Sequence, residues 1–183
     1  MRVPVFLDRD GVINRDRDDY VKSLEEWKPF PGAVASIVRL CSAGHPVVVI
    51  TNQSAIGRNY CTEACVRDIH SHLTELVRDA GGALSGIYYC PHRPDEGCAC
   101  RKPETGMVDA ARSDLDLPAG GYIVGDAESD MELGRRAGLK TILVLTGRGS
   151  DQLGIMESGG LPAPWRVAGD ISEAVEIIIS DSG

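Results

Sequence analysis

Short apolar runs rich in Val, Ile, Leu and Tyr recur along the chain, and helical patterns separate them. We predict strands at 3–8, 46–51, 86–90, 121–126 and 141–145, with a weaker edge strand at 165–170. Strands that alternate with helices in this way are typical of a parallel sheet covered by helices. The sequence therefore predicts an α/β, Rossmann-like fold with a central parallel sheet flanked by helices and no large cap domain.

The periodicity between those runs predicts where the covering helices lie. An amphipathic helix whose apolar residues begin at Val34 should stop near Gly44, and Thr62 is placed to cap the next helix. Further helices are predicted at 106–115, 128–137 and 172–179, and weakly structured segments at 11–30, 90–103 and 146–164.

The length and the charge of the chain limit its class. It has 183 residues, which suits one domain over 1–183, and a formal net charge of −8. Nucleic-acid binding depends on clustered Lys and Arg, so this balance predicts no nucleic-acid partner. No apolar run reaches the roughly 18 residues that span a bilayer, and no secretory signal is evident. We expect a cytoplasmic monomer that binds no membrane.

Chemically reactive or polar side chains follow the first four predicted strands. These side chains are Asp8 and Asp10, then Thr51, Asn52, Gln53 and Ser54, then Cys90 and His92, then Asp126 and Asp130. In open α/β sheets, ligands bind outside the carboxyl ends of the strands. We therefore expect these groups to converge at one edge of the sheet.

Asp8 and Asp10 follow the first strand directly, with Arg9 between them. In a continuing strand the two carboxylates would face the same side and Arg9 the opposite side, so Arg9 would not neutralise them. A hard divalent cation such as Mg²⁺ would then relieve their repulsion. An ordinary Asp-Gly turn, Asp10 before Gly11, is the alternative.

Two further carboxylates follow the fourth strand. Asp126, at the end of a buried strand, is the better candidate to share a cation with Asp8. Asp130 comes four residues later at a predicted helix start, where it could be a metal ligand or a first-turn acid favoured by the helix dipole.

Hydroxyl, amide and cationic groups could bind a phosphoryl group at the same edge. The hydroxyl and amide candidates are Thr51, Asn52, Gln53 and Ser54. Lys102 could place a point charge on one phosphoryl group, and Arg101 a bidentate fork on a second. The alternatives are an ordinary polar loop and two solvated surface cations.

The segment CPHRPDEGCAC (90–100) is the most specific local signal in the chain. Its spacing is C-x-H-x5-C-x-C, which supplies Cys90, His92, Cys98 and Cys100 as ligands for a tetrahedral Zn²⁺. With four protein ligands and no open position, such a site is structural. Free buried thiols beside a surface His are the alternative. Cys41, Cys61 and Cys65 are scattered, and we expect them to be small buried hydrophobic residues.

Taken in order, FLDRDGVIN (6–14), TNQS (51–54), CRKP (100–103) and GDAESD (125–130) resemble the four motifs of the haloacid dehalogenase (HAD) superfamily of phosphatases. Together with the zinc loop, the Cys/His segment at 90–103, they resemble the D-glycero-D-manno-heptose 1,7-bisphosphate 7-phosphatases and the histidinol-phosphatase domains, which share that loop. The resemblance implies a HAD fold with the zinc loop, 90–103, inserted after the third strand.

The resemblance also implies roles for individual residues. Asp8 would be the nucleophile, and Asp10 the general acid and base, which must start protonated. Mg²⁺ would be held by the Asp8 carboxylate, the Asp10 carbonyl and Asp126, with Asp130 acting through water. Thr51 would help to neutralise the transferring phosphoryl oxygens.

The remaining implied roles concern the substrate. Lys102 would neutralise phosphoryl oxygens together with the hydroxyl of the second motif, and Arg101 would help to select the substrate. Ala127 stands where some heptose phosphatases carry a substrate-contacting Lys. That contact, and the match of segment 15–20 to the family's substrate loop, are therefore open.

The activity implied by the resemblance is Mg²⁺-dependent removal of the 7-phosphate of the heptose bisphosphate through an aspartyl-phosphate. The substrate, a small phosphorylated sugar, would belong to lipopolysaccharide-core or related glycan assembly. Histidinol-phosphate phosphatase is the alternative activity, and a non-enzymatic zinc-stabilised binding domain is an alternative of another class. A polynucleotide 3′-phosphatase is disfavoured by the acidic net charge.

Overall fold

Strands and helices alternate along the chain in the computed structural model, which describes residues 2–160 and 163–182. The strands are β1 (Val5–Leu7), β2 (Val47–Asn52), β3 (Gly86–Cys90), β4 (Tyr122–Gly125), β5 (Lys140–Val144) and β6 (Arg166–Ala168). The helices are α1 (Ala33–Ser42), α2 (Ser54–Gly57), α3 (Glu63–Asp79), α4 (Gly106–Leu115), α5 (Glu128–Ala137), α6 (Gly149–Ile155) and α7 (Ile171–Ser182). Within the described ranges, no helix is both long and apolar enough to cross a membrane.

The six strands form one sheet in the order β3-β2-β1-β4-β5-β6, and every neighbouring pair runs parallel. The chain builds outward from β1 to β3 and then crosses back to continue on the other side with β4. This reversal places the carboxyl ends of β1, β2 and β4 side by side, where ligands bind in open α/β sheets. The predicted central parallel sheet, with its edge strand β6, is confirmed.

Side chains of the central strands alternate between two buried layers. Val5 and Leu7 pack in the layer that contains α1, α3 and α7, whereas Phe6 packs in the layer that contains α4 and α5. All three side chains are fully buried. A strand apolar on both faces is what a sheet covered on both sides requires. Packed helices therefore support the sheet from both sides behind the edge at which the polar groups collect.

The helix signals in the sequence correspond to observed helix ends. α1 ends at Ser42, and Gly44 follows with φ of +85°, a left-handed conformation that glycine adopts without strain. The Thr62 side chain accepts a hydrogen bond from the Cys65 N–H at 3.3 Å and so caps α3. The predicted helices at 106–115 and 128–137 are α4 and α5.

The segment 146–164, predicted to be weakly structured, instead contains α6 and a π-helical turn over Met156–Gly160. Residues 161 and 162 of that segment lie outside the described residues. Leu153 and Met156 pack against Met131 and Leu143. Tertiary contacts of this kind, rather than a long periodic pattern, order the segment, which is why sequence reasoning missed it.

Two smaller expectations are also wrong. α2 begins at Ser54, where no helix was predicted. Cys41, Cys61 and Cys65 are partly exposed rather than buried. Cys65 lies in the first turn of α3, on its solvent side, and not in the apolar stripe.

Candidate active site

Asp8 is the first residue beyond β1, and its side chain lies at the centre of the sheet's carboxyl edge. The residue is only 8% exposed. Its Oδ1 accepts a hydrogen bond from the Arg9 backbone N–H at 2.7 Å and lies 2.9 Å from Lys102 Nζ. These two contacts fix the carboxylate at the end of a rigid strand.

Lys102 joins two carboxylates in the interior. Its Nζ lies 2.6 Å from Asp130 Oδ1 as well as 2.9 Å from Asp8 Oδ1, and all three residues are buried. Burial acts to lower the pKa of Lys102, but the charges of Asp130 and Asp8 outweigh it and raise the pKa above its usual value. The ammonium therefore stays charged between the two acids.

The chain around Lys102 is held to the end of β2 by Asn52. Its Oδ1 accepts a hydrogen bond from the Lys102 backbone N–H at 3.1 Å, and its Nδ2 donates to the Lys102 carbonyl at 3.3 Å. Asn52 was predicted to bind substrate. In this structure both ends of its amide hold the backbone of Lys102, which makes it a support for that residue, and its contact with substrate stays a prediction.

Asp126 follows β4 and is packed closely by backbone. A Cβ at Gly11 or at Gly147 would clash with Asp126 Oδ2. Both glycines also have positive φ, +83° and +59°. The Arg148 backbone N–H donates to the same Oδ2 at 2.8 Å. Sterics and one hydrogen bond thus fix this carboxylate beside Asp8.

Asp8, Asp126 and Asp130 are buried, and their carboxylate oxygens lie within 4.8 Å of one another. Burial, followed by the negative charge of Asp130, raises the pKa of Asp126 to about 7. Burial also raises the pKa of Asp8, although Lys102 opposes it. Three carboxylates and one ammonium leave surplus negative charge, which a hard cation with oxygen ligands would offset. The donor set fits the predicted Mg²⁺.

Asp130 was predicted to be a metal ligand or a first-turn acid; the structure shows the second role, and metal ligation stays a prediction. It lies in the first turn of α5, where its Oδ2 accepts a hydrogen bond from the Ala127 N–H at 3.2 Å. Its Oδ1 meets Lys102 in the carboxylate cluster. The same side chain therefore stabilises a helix start and contributes charge to the site.

Arg9 does not point away from Asp10, as the sequence argument expected. Its Nη2 lies 2.8 Å from Asp10 Oδ2, and its Nε donates to Asp10 Oδ1 at 3.1 Å. The reason is that β1 ends at Leu7, so the alternation of a strand does not extend to residues 8 to 10. The guanidinium folds back onto the next residue and neutralises it.

The expectation that Asp10 starts protonated is also not met. Burial acts to raise the pKa of Asp10, but the charge of Arg9 and the hydrogen bonds from Asn14 and Gln53 together lower it below its usual value. Asn14 Nδ2 donates to Asp10 Oδ1 at 2.8 Å, and Gln53 Nε2 donates to Asp10 Oδ2 at 2.8 Å. These contacts favour the carboxylate form of Asp10.

Three members of the predicted 51–54 group lie at the same edge but differ in their contacts. Thr51 is buried at the end of β2, and its Oγ1 accepts a hydrogen bond from Gln53 Nε2 at 2.9 Å. Gln53 contacts Thr51, Arg9 and Asp10, and its predicted contact with substrate stays a prediction. Ser54 is buried at the start of α2.

Cys90, His92, Cys98 and Cys100 form a second cluster directly after β3. Cys100 Sγ lies 3.2 Å from Cys90 Sγ, 3.6 Å from Cys98 Sγ and 3.3 Å from His92 Nδ1. In a tetrahedral site with Zn–S bonds of about 2.3 Å, ligand atoms lie roughly 3.5–3.8 Å apart. The cluster thus fits the predicted Zn²⁺, with four protein ligands and Nδ1 as the histidine donor.

The zinc loop leads directly into the predicted phosphoryl-binding residues. Burial acts to raise the pKa of Cys98, but hydrogen bonds, first from the Arg101 backbone N–H, lower it to about 7, which favours the thiolate that binds a metal. Arg101 Nη1 donates to the His92 carbonyl at 3.3 Å. Lys102 comes next and reaches Asp8. The Cys/His cluster therefore anchors both cations.

A polar cleft of about 360 Å³ lies between the loops that follow β1 and β5. Arg15, Asp16 and Phe30 line one side, and Gly147 and Arg148 line the other. Arg148 Nε donates to Asp16 Oδ2 at 3.0 Å across the cleft. Because the Arg148 N–H also binds Asp126, the cleft adjoins the carboxylate cluster. The segment 15–20 thus lies beside the site.

Sequence reasoning missed several residues that support the site. His70 on α3 is buried, and its Nε2 lies 3.2 Å from Arg9 Nη1. Asn14 and Gly147 are the others. The signal for His70 was a polar residue among the buried positions of an amphipathic helix, between Ile69 and Leu73. Gly147 carried no such signal, because its need for glycine arises from the distant Asp126.

Comparison with known proteins agrees with this geometry. Residues 99–174 match a family model described as HAD-hydrolase-like. A D-glycero-beta-D-manno-heptose-1,7-bisphosphate 7-phosphatase of Pseudomonas putida is 42% identical over 96% of this chain and 98% of its own. A phosphatase of the same name from Bordetella bronchiseptica is 41% identical over 97% and 98% of the two chains.

A solved structure shares the fold over nearly the whole length. It is the D,D-heptose 1,7-bisphosphate phosphatase of B. bronchiseptica complexed with magnesium and phosphate, with a TM-score of 0.90, 38% identity, and coverage of 98% of this chain and 99% of the other. The chain belongs to the HAD-like phosphatases, which hydrolyse phosphoric monoesters. Within that class it resembles the D-glycero-beta-D-manno-heptose-1,7-bisphosphate 7-phosphatases.

Proposed function

We propose that this protein removes the 7-phosphate of D-glycero-β-D-manno-heptose 1,7-bisphosphate. The observation that carries the proposal is the contact of buried Asp8 with Lys102 beside two further carboxylates, in a chain that matches phosphatases of that name over almost its full length. The β anomer is supported by the names of those relatives. The protein acts as a single-domain monomer in the cytoplasm, on a small phosphorylated sugar.

Asp8 is the nucleophile. Its carboxylate oxygen attacks the phosphorus, the bond from phosphorus to the sugar oxygen breaks, and an aspartyl-phosphate forms. The short contact between Asp8 Oδ1 and Lys102 supports this role, because it fixes one oxygen and orients the other. Water then attacks the same phosphorus, which releases inorganic phosphate and restores the carboxylate.

Asp10 transfers protons in both steps. It gives a proton to the departing alkoxide and takes one from the attacking water. Since Arg9 favours the carboxylate form, Asp10 gains its first proton when the anionic phosphoryl group binds beside it and adds negative charge. Two carboxylates with different partners avoid competition between attack and proton transfer.

Mg²⁺ would be held by the Asp8 carboxylate, the Asp10 carbonyl and Asp126, with Asp130 acting through water. When bound, it offsets the charge of the phosphoryl oxygens. Thr51, buried at the end of β2, donates its hydroxyl to a phosphoryl oxygen.

Two cationic side chains at the end of the zinc loop, Arg101 and Lys102, bind the substrate. Lys102 neutralises phosphoryl oxygens at the nucleophile, and Arg101 contacts the rest of the substrate. Ser54 and the cleft beside Asp16 are further contacts. Zn²⁺ in the Cys/His cluster would be structural, because the protein offers all four ligands, and the folded cluster would orient Arg101 and Lys102.

A substrate panel with phosphate release as readout tests the proposal. The expected result is a higher kcat/KM for the β-heptose bisphosphate than for the α anomer or for histidinol phosphate. Preference for histidinol phosphate would overturn the substrate, and no turnover of any phosphomonoester would support a non-enzymatic domain. Asp8→Asn should lower kcat by roughly 10⁴-fold or more while zinc content and fold are kept. Unchanged turnover in that variant would exclude the aspartyl-phosphate.

A further inference from the structure

Arg9 is a fully buried cation whose guanidinium is held from several sides. Its side chain is 0% exposed, and burial of an unpaired cation is strongly unfavourable. Such a group persists only where its charge and its N–H donors find partners. The identity of those partners therefore indicates what the residue does.

The first partner is Asp10, which the guanidinium contacts through two nitrogens. Arg9 Nε and Nη2 reach Asp10 Oδ1 at 3.1 and 2.9 Å, and Nη2 also reaches Oδ2 at 2.8 Å. A planar guanidinium that meets both oxygens of a carboxylate fixes the plane of that carboxylate as well as its position. A single ammonium could not do so.

The other partners hold the guanidinium itself and come from two different elements. Gln53, directly after β2, accepts from Arg9 Nη2 at 3.1 Å and also donates to Asp10 Oδ2 at 2.8 Å. His70 on α3 lies with Nε2 3.2 Å from Arg9 Nη1. Both residues are buried. The guanidinium is therefore fixed to β2 and α3 rather than free to follow its carboxylate.

His70 is suited to be an acceptor. Burial, and after it the charge of Arg9, lowers the pKa of His70 to about 3, so the imidazole is neutral. A neutral imidazole that accepts at Nε2 carries its proton on Nδ1. Tyr89 packs on the ring, with the ring centroids 5.4 Å apart, and this contact limits its rotation.

We propose that Arg9, fixed by His70 and Gln53, is a positioning residue that holds the Asp10 carboxylate in the orientation needed for proton transfer to the leaving alkoxide. The inference rests on the proposed function of Asp10. The side chains of Arg9 and His70 contact neither the nucleophile Asp8 nor Lys102 in this structure. They act on the reaction through Asp10 alone.

A leaving-group comparison isolates that role. An alkoxide is a strong base and needs a proton as it departs, whereas p-nitrophenolate departs without one. The quantity kcat/KM reports steps up to formation of the aspartyl-phosphate, where this proton transfer occurs. A variant with a misoriented Asp10 should therefore lose kcat/KM on an alkyl phosphate and keep it on p-nitrophenyl phosphate.

The variants are Arg9→Met, Arg9→Lys, His70→Leu and His70→Gln. For an alkyl phosphate that the wild type hydrolyses, we expect Arg9→Met to lower kcat/KM about 100-fold and Arg9→Lys to restore little of it. His70→Leu should lower it about 10-fold, and His70→Gln, which keeps an acceptor near Nε2, should recover most of that loss. On p-nitrophenyl phosphate each variant should stay within about threefold of wild type.

His72→Leu is the matched control, since His72 lies on the same helix and packs against Trp27 instead of Arg9. It should change neither substrate. Equal losses on both substrates would show a merely structural role and overturn the inference, as would full activity of Arg9→Met on the alkyl phosphate. If Arg9→Met does not fold, the His70 pair decides. A wild type that rejects the heptose bisphosphate but hydrolyses another alkyl phosphate would refute the proposed substrate while leaving this test intact.

Discussion

Asp8 and Asp10 are two residues apart, yet their pKa values shift in opposite directions and their cationic partners come from different parts of the chain. Asp8 shares Lys102 with Asp130, and burial raises its pKa. Asp10 has a guanidinium to itself, and its pKa is lowered despite burial. The difference shows that separate cations, supplied by separate parts of the chain, can give neighbouring carboxylates electrostatically distinct surroundings, as the separate proposed roles of nucleophile and proton donor require.

The two cations reach the site by unrelated routes. Lys102 arrives from the far end of the zinc loop and depends on the Cys/His cluster and Asn52 for its position. Arg9 is adjacent in sequence and depends on Gln53 and His70. A perturbation of the zinc loop should therefore affect the surroundings of Asp8, the proposed nucleophile, and a perturbation of α3 should affect those of Asp10, the proposed proton donor.

The largest expected effect is removal of the nucleophile's cation. Lys102→Met leaves Asp8 and Asp130 buried without their counterion, which should lower the free energy of unfolding by about 3–5 kcal/mol without Mg²⁺. It should also lower kcat/KM by roughly 10³-fold, because a charge that stabilises the phosphoryl oxygens is lost.

Urea unfolding and phosphate-release assays measure the two losses. Added Mg²⁺ should restore part of the stability, since a divalent cation replaces the missing charge. Lys140→Met is the control, because Lys140 is exposed at the start of β5, at the opposite end of the strand from the carboxyl edge, and pairs with Asp181. A Lys102→Met protein as stable as wild type would mean that Asp8 and Asp130 do not need Lys102 as their counterion.

Loss of zinc should act on the same cation from a distance. Cys100→Ser removes one of the four ligands, so the loop 90–103 should lose order and Lys102 should lose its fixed position. We expect kcat/KM to fall by about 10–100-fold. Zinc content by elemental analysis and activity should fall together, whereas Cys65→Ser, outside the cluster, should alter neither. Full activity without zinc would contradict the coupling.

These dependencies explain which parts of the molecule could be predicted. The parallel sheet follows from apolar runs such as 46–51, and the zinc cluster from close spacing of four ligands, because both are local patterns. Asp8 and Asp126 could be predicted to converge, since strand ends in a parallel sheet meet at one edge, whereas Lys102 was assigned to their site by the family resemblance. The direction of Arg9 could not, because it depends on where β1 ends, and a strand's last residue is set by tertiary contacts.

The surroundings of Asp10, the proposed proton donor, can be tested through the pH dependence of stability that His70 causes. Its pKa of about 3 in the folded protein lies below its usual value of 6.5, so the unfolded chain binds the proton first as pH falls. Stability should thus fall by about 1.4 kcal/mol per pH unit below 6.5, which is about 2 kcal/mol by pH 5.

His70→Gln lacks this titration. Comparison of urea unfolding at pH 7.5 and pH 5 should therefore show wild type losing about 2 kcal/mol more than the variant. Zinc ligands and carboxylates titrate in both proteins and cancel in the difference. Equal losses would mean that His70 is protonated in the folded protein and does not accept from Arg9.

The smallest expected effect distinguishes most directly between the surroundings of Asp8 and those of Asp10. Asn52→Ala removes two hydrogen bonds to the backbone of Lys102, which should cost about 1 kcal/mol of stability and up to about tenfold in kcat/KM. Asn52→Asp keeps an acceptor for the Lys102 N–H and should lose less. Because Lys102 serves the phosphoryl group, Asn52→Ala should slow alkyl and p-nitrophenyl phosphates equally, whereas Arg9 variants should slow only the alkyl phosphate. If Asn52→Ala also slowed only the alkyl phosphate, the support of Lys102 would affect proton transfer by Asp10. Asp8 and Asp10 would then share one network, and the inference that Lys102 and Arg9 serve them separately would be wrong.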